Sequence, residues 1–179
     1  MNDTFVIGER GGYPPRIGLL VSELATSRHY LLRASRELPM AALDAAPGAA
    51  KNSIGAILAH LNAAENMFQR ILFEDRRFND AEEALKRAFA FEGGEGTHGR
   101  DIASYHDELR RTREGTLDGL RKHDDAWLDA PKTFMKQPSN VFYYWYHYIL
   151  DEARHTGQVI LIRKHLMAGA DPEFEPYTP

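Results

Sequence analysis

The sequence predicts an all-α protein, a four-helix bundle that occupies residues 1–179 as one domain. Four long segments carry apolar residues three and four positions apart, which is the spacing of a helix with one buried face. Clusters of proline and glycine separate these segments, and no stretch alternates apolar and polar residues as a half-buried strand does. A chain of 179 residues can bury a sufficient core without disulfides or a structural metal.

Proline and polar caps set the boundaries of the predicted helices. Pro15 suits the first turn of a helix, and Pro39 cannot continue one. Asn52 or Ser53 can cap the second helix, which has the clearest apolar face in the chain. The four helices are predicted over residues 15–38, 53–74, 101–122 and 139–167.

Two shorter features complete the prediction between the second and third helices. Residues 80–91 can form a short extra helix. Residues 92–100 contain four glycines, so we expect a glycine-rich, mobile loop there. Residues 43–50 are predicted to be a connection, and the proline-bearing tail after Ala168 to be irregular, packing across the bundle or on a partner subunit.

Composition excludes several classes of function. Lysine and arginine total 22 against 26 acidic residues with no basic run, so nucleic acid is not an expected partner. The chain has no cysteine, which removes disulfides, thiolate ligands and a protein thiol nucleophile. No signal peptide or long apolar segment is evident, so we expect a cytoplasmic protein that does not bind membranes.

The last helix carries a polar stripe among aromatic residues. Asp151 and His155 are one turn apart, so a carboxylate oxygen and an imidazole nitrogen can meet one ion. His60, beside the apolar face of the second helix, is the natural third ligand. From spacing alone, a solvated helix face and a hydrogen-bonded core histidine remain equally good explanations.

Two segments identify a resemblance to a known family. SIGAILAHLNAAEN, residues 53–66, and HYILDEARHTGQVILIRKHL, residues 147–166, resemble the DinB/YfiT-like family of metal-dependent four-helix bundles. The resemblance implies one metal-binding histidine on the second helix and two on the last, the final one followed by a small or basic residue, Gly and Gln. His60, Asp151 and His155 occupy those places, with Asp151 standing where the family most often has histidine.

A site of two histidines and one carboxylate binds a divalent metal and leaves positions open for water or substrate. Zinc or nickel is the expected ion, with iron or manganese as alternatives. Weaker candidates for the surrounding pocket lie on the same helix: Tyr144, His147, Tyr148 and Gln158. Gln158 could hold the ring of His155 or cap a helix, and His147 could bind the metal or hydrogen-bond Asp151.

Other polar residues have structural interpretations. Glu65 falls in the apolar face of the second helix, so we expect an ion pair with Arg163 or another buried donor. Gly157 is expected to let two helices approach closely. The remaining histidines are interpreted as ordinary surface residues: His29, His98, His106, His123 and His165.

The resemblance implies an enzyme in which the metal activates a low-molecular-weight thiol for transfer, because some relatives resemble thiol-S-transferases. The alternatives are a metal-dependent hydrolase, a non-enzymatic stress protein that binds a metal or small ligand, and a metal-free structural bundle. The expected partners are a small-molecule substrate or thiol, and a second copy in a homodimer, the commonest oligomer.

Overall fold

The computed structural model of the chain describes residues 4–46, 52–92 and 98–167. The connection at 47–51, the centre of the predicted mobile loop at 93–97 and the tail from residue 168 lie outside this part of the chain. The six helices described are α1 (Pro15–Ser35), α2 (Met40–Asp44), α3 (Ile54–Phe73), α4 (Glu83–Phe89), α5 (Ile102–Leu120) and α6 (Val141–Leu166).

The all-α prediction is confirmed, and the four long helices are α1, α3, α5 and α6. Three of them begin at a side-chain cap. Ser53 accepts a hydrogen bond from the Ala56 amide at 3.2 Å, and Asn140 accepts one from the Tyr143 amide at 2.8 Å. Asp101 caps α5 in the same way. Helix α1 instead starts with Pro15, whose missing amide hydrogen costs nothing there.

Two short elements were not predicted. Helix α2 begins before the expected connection at 43–50 and takes up only its first two residues, and residues 131–140 form an antiparallel hairpin of β1 (Pro131–Phe134) and β2 (Gln137–Asn140). Met135 and Lys136 turn the chain with φ of 48° and 66°. The strand was not predicted because Pro138 argues against one. Proline is nevertheless tolerated in an edge strand, and both strands of a two-stranded sheet are edge strands.

Each long helix packs against two others, in the order α1, α6, α3, α5 around the bundle. The core consists of two apolar clusters along the bundle axis. One contains Leu24, Phe68 and Tyr148, and the other contains Leu31 and Leu61. The position between them on each helix is taken by a buried charged residue: Arg28, Glu65, Arg113 and Glu152.

These four side chains form one ion-pair network. Glu65 receives hydrogen bonds from Arg28 at 2.7 Å and from Arg113 at 2.6 Å. Arg28 also contacts Glu152 at 2.6 Å. The predicted structural role of Glu65 is therefore confirmed, but Arg163 as its partner is wrong, since Arg163 donates to the backbone carbonyls of α1's C-terminal end.

The expected role of Gly157 is also wrong. A Cβ added at Gly157 would meet nothing within 4 Å. The close approaches lie elsewhere: a Cβ at Gly18 would lie 2.6 Å from the backbone nitrogen of Arg10, and one at Gly119 would collide with the ring of Phe73. Because Gly119 has no side chain, the ring of Phe73 on α3 can pack directly against α5. The spacing of apolar residues along α5 does not predict this contact.

Three histidines interpreted as surface residues are partly buried. The ring of His29 packs against Phe5, with ring centroids 5.2 Å apart. His106 is half-buried, with its Nε2 2.8 Å from the hydroxyl of Ser35, and His123 stacks on Trp127 at 3.8 Å between ring centroids. His98 and His165 are exposed as expected. Within the described residues, none of the helices combines the length and apolar character needed to cross a membrane.

Candidate metal centre

His60 lies in the middle of α3 and is nearly buried. Its Nδ1 is 2.9 Å from the backbone oxygen of Phe89, at the end of α4. A carbonyl oxygen can only accept a hydrogen bond, so Nδ1 carries the hydrogen and the neutral ring presents an unshared pair on Nε2. The contact with α4 therefore fixes both the tautomer of His60 and the direction in which Nε2 faces.

His155 is held in the same way by α6 itself. Its Nδ1 is 2.8 Å from Oε1 of Gln158, three residues further along the helix. The hydrogen bond predicted for Gln158 is present, and it again leaves Nε2 unshared. Two histidines on different helices thus have one nitrogen occupied and one nitrogen directed at the same space.

Asp151 lies between these two nitrogens. Its Oδ2 is 3.4 Å from Nε2 of His60, and its Oδ1 is 3.6 Å from Nε2 of His155. One ligand atom from each of the three residues lies within 4.8 Å of the other two. The structure therefore brings together the three residues that the sequence selected, on the neighbouring helices α3 and α6.

The donor set fits a divalent cation. Two atoms that each lie ~2.0–2.2 Å from one tetrahedral ion are about 3.3–3.6 Å apart. Nε2 of His60 lies 3.4 Å from one carboxylate oxygen of Asp151 and Nε2 of His155 lies 3.6 Å from the other, so each histidine separately falls in that range. One ligand atom from each of the three residues lies within 4.8 Å of the other two, so a small movement would bring all three to one ion. Two imidazole nitrogens with one carboxylate oxygen suit zinc and other first-row divalent metals, and three protein ligands leave coordination positions open.

The ionisation of the site also suits a cation. Burial acts to raise the pKa of Asp151. When the rings of His60 and His155 are protonated, the hydrogen bond that His60 can then donate and the positive charges of both rings outweigh burial, so the pKa is lowered. Burial lowers the pKa of His155, against the opposing effects of Gln158 and Asp151. At neutral pH the site then holds a carboxylate beside a neutral imidazole, which is the state that metals require of these ligands.

Two aromatic side chains that the sequence analysis did not select cover the site. The ring of Phe91 stacks on His60 at 3.9 Å between centroids and lies 5.4 Å from the ring of His155. Phe89 stacks on His60 from 5.8 Å. Phe91 has φ of 55°, uncommon for a bulky residue, and this turn after α4 places its ring over the histidine. No spacing rule in the sequence relates this turn to His60.

The weaker candidates lie around the site rather than among its ligands. His147 packs on Phe134, with ring centroids 4.6 Å apart, and burial lowers its pKa. Tyr144 donates a hydrogen bond to the backbone oxygen of Thr133 at 2.6 Å. The hydroxyl of Tyr148 lies in the ion-pair network, where it receives a hydrogen bond from Arg28. The hydroxyl of Tyr144 is thus engaged by the β1–β2 hairpin and that of Tyr148 by the buried network.

Comparison with known proteins agrees with this architecture. A search of curated proteins found no match to the chain. The sequence model of the DinB superfamily matches residues 23–159, a span that contains His60, Asp151 and His155 and most of all four long helices. The chain therefore belongs to the DinB superfamily.

Proposed function

We propose that His60, Asp151 and His155 hold a divalent metal ion and that the protein uses it to activate a small thiol for transfer to an electrophile. The observation that carries the proposal is the orientation of the two histidines. Each has its Nδ1 bound to a carbonyl or amide oxygen, and each presents Nε2 within 3.6 Å of the same carboxylate. Side chains in a solvated polar stripe have no reason to share that arrangement.

The surrounding residues have separate tasks in this proposal. Asp151 supplies the negative charge that offsets part of the charge of the cation. The Phe89 carbonyl and the Gln158 side chain orient the imidazoles, so the ligand set does not have to be ordered when the ion arrives. The rings of Phe89 and Phe91 exclude water from the side of His60, which strengthens electrostatic interactions within the site.

A bound divalent cation would supply a Lewis acid that lowers the pKa of a thiol or of a water molecule. The chain contains no cysteine, so a sulfur nucleophile would have to come from a small molecule. The two helical motifs resemble the DinB/YfiT-like family, and some members of that family resemble thiol-S-transferases, which favours the thiol over water. Hydrolysis by a metal-bound water molecule and metal binding without catalysis are the alternative functions that the cobalt experiment distinguishes.

Cobalt(II) substitution tests the metal and the thiol in one experiment. Cobalt bound by two imidazoles and a carboxylate absorbs visible light, and coordination of sulfur adds a charge-transfer band in the near ultraviolet. Because the chain has no cysteine, such a band can come only from the added thiol. We expect it when 2-mercaptoethanol or glutathione is added to the cobalt protein, and we expect no cobalt spectrum from Asp151→Asn.

Substitution of the exposed His165 by glutamine is the matched control, and it should leave both spectra unchanged. A cobalt spectrum that responds to neither thiol would refute thiol activation while the metal site stands. Turnover of an activated ester by the same sample would then favour hydrolysis. Failure of the wild-type protein to bind cobalt would refute the whole proposal.

A further inference from the structure

A second concave site lies on the opposite side of α6 from the metal ligands. Around a helix with 3.6 residues per turn, positions 151 and 153 are about 200° apart. Asp151 faces α3, whereas Ala153 lines a groove of about 490 Å³ between α6 and α1. This volume is within the range of small-molecule sites. The groove shares no lining residue with the metal centre.

The walls of this groove are mainly apolar. Its apolar lining comes from three parts of the chain: Ile7 of the N-terminal segment, Tyr30 of α1, and Ile149, Ala153 and Ile160 of α6. Gly157 also lines it, and a side chain there would enter open space, because a Cβ at this position meets nothing within 4 Å. The groove can therefore take the apolar body of a ligand.

Two polar groups on one face of α1 stand out in these surroundings. Glu23 and Ser27 are one turn apart and both line the groove. The Ser27 hydroxyl is buried and has no hydrogen-bond partner in the described part of the chain. Burial raises the pKa of Glu23, and no charged group among the described residues contributes to that shift. Polar groups in an apolar site without partners are costly unless a ligand satisfies them.

We propose that this groove binds an organic ammonium ion with an apolar body. A primary ammonium group donates three hydrogen bonds, and the carboxylate of Glu23 and the hydroxyl of Ser27 are two acceptors at the spacing of one helical turn. The ring of Tyr30 adds a surface that attracts cations. An anion or a neutral molecule of the same shape would leave the carboxylate without a partner. This proposal does not depend on the metal site.

Calorimetric titration of the full chain with three probes of similar size tests the proposal. The probes are 2-phenylethylammonium, the neutral 2-phenylethanol and the anionic phenylacetate. We expect the ammonium ion to bind most tightly. Glu23→Gln should weaken that binding by about tenfold or more, as expected for loss of a charge-assisted hydrogen bond, and bring it to the affinity of the neutral probe.

Two further variants separate this site from other causes. Gly157→Leu should abolish binding of the ammonium and neutral probes, and it should fold, since leucine favours a helix more than glycine does. Glu114→Gln removes an exposed carboxylate on α5 and should change nothing. Equal binding of the ammonium and neutral probes, or unchanged ammonium binding by Glu23→Gln, would overturn the proposal.

Absence of ammonium binding by the wild-type chain would overturn it as well. Sedimentation velocity on the same samples then shows what covers the groove instead. A dimer that Gly157→Leu dissociates would assign this face to contact between two copies of the chain, and a monomer would leave it an open surface.

Discussion

Asp151 and Glu152 are neighbours on α6, yet they belong to two polar clusters of opposite character. Glu152 is fully buried in the ion-pair network, where two guanidinium groups face two carboxylates. Asp151 lies beside two histidine nitrogens that have no hydrogen to give when the rings are neutral. In the cluster around Glu152, positive and negative side chains offset each other. In the cluster around Asp151, three hydrogen-bond acceptors face one another and no donor from the described part of the chain lies between them.

This difference distinguishes buried polar residues that stabilise the fold from those that can bind a ligand. In the network, two guanidinium groups offset two carboxylates. Glu65 receives hydrogen bonds from Arg28, Arg113, Thr116 and Tyr148. Glu152 receives one from Arg28, and its other oxygen lies 3.7 Å from Arg113 without a hydrogen bond among the described residues. In the other cluster, acceptors face acceptors, an arrangement that a cation resolves. The network also joins α1, α3, α5 and α6 at the level of Tyr148, one turn from Asp151, and so holds together the two helices that carry the proposed metal ligands.

The largest expected effect comes from breaking the network. Glu65→Gln keeps the shape of the side chain but leaves Arg28 and Arg113 buried with one carboxylate fewer. Loss of one member of a buried ion pair typically costs ~3–5 kcal/mol, so the free energy of unfolding should fall by about that amount. Urea denaturation measures it, with the exposed Glu114→Gln within about 0.5 kcal/mol of wild type as control. A loss no larger than the control's would contradict the structural assignment.

Acid should weaken the same network. Burial acts to raise the pKa of Glu65, but Arg113 and Arg28 outweigh it and lower the pKa from 4.5 to about 2. A carboxyl group with a lowered pKa stabilises the folded state above its unfolded pKa and loses that contribution as pH falls towards the folded value. The difference in unfolding free energy between wild type and Glu65→Gln should therefore be constant above pH 4.5 and shrink towards pH 2. A constant difference over that range would contradict the pKa assigned to Glu65.

A smaller effect is expected at Gln158, which supports the metal centre without being a proposed ligand. Gln158→Ala removes the hydrogen bond to Nδ1 of His155, and loss of such a supporting partner typically lowers metal affinity ~10–100-fold. Competition with a chelator measures the change. Leu161→Ala on the exposed face of α6 is the control and should keep wild-type affinity. Equal affinities of both variants would show that Gln158 does not orient His155 for the metal.

Spacing along one helix predicted the long helices and the Asp151–His155 pair, whereas the set of three residues with His60 also depended on the resemblance of the two helical motifs to a known family. Asp151 and His155 are one turn apart, and His60 lies beside an apolar face that has to be buried. Arg28 and Arg113 could not be predicted, because an arginine between leucines has the same pattern whether it reaches solvent or a buried carboxylate. Their burial depends on Glu65 and Glu152, which come from other helices.

The cover of the metal centre was missed for a related reason. Phe91 reaches His60 only because the chain turns with positive φ after α4, and an isolated phenylalanine gives no sign of that turn. The hairpin at 131–140 was missed because its prolines oppose a strand, although a two-stranded edge tolerates them. Local patterns therefore predicted the elements, while contacts between distant parts of the chain determined what surrounds the site.

The zinc content of His155→Ala tests the central claim most directly. The wild-type chain, prepared without a metal-affinity tag and separated from excess zinc, should retain roughly one ion per chain. His155→Ala should retain none, while its circular dichroism stays helical and its unfolding free energy matches that of the metal-free wild type, because the ion-pair network does not involve His155. Wild-type zinc content in His155→Ala, or loss of its helical structure, would contradict the account.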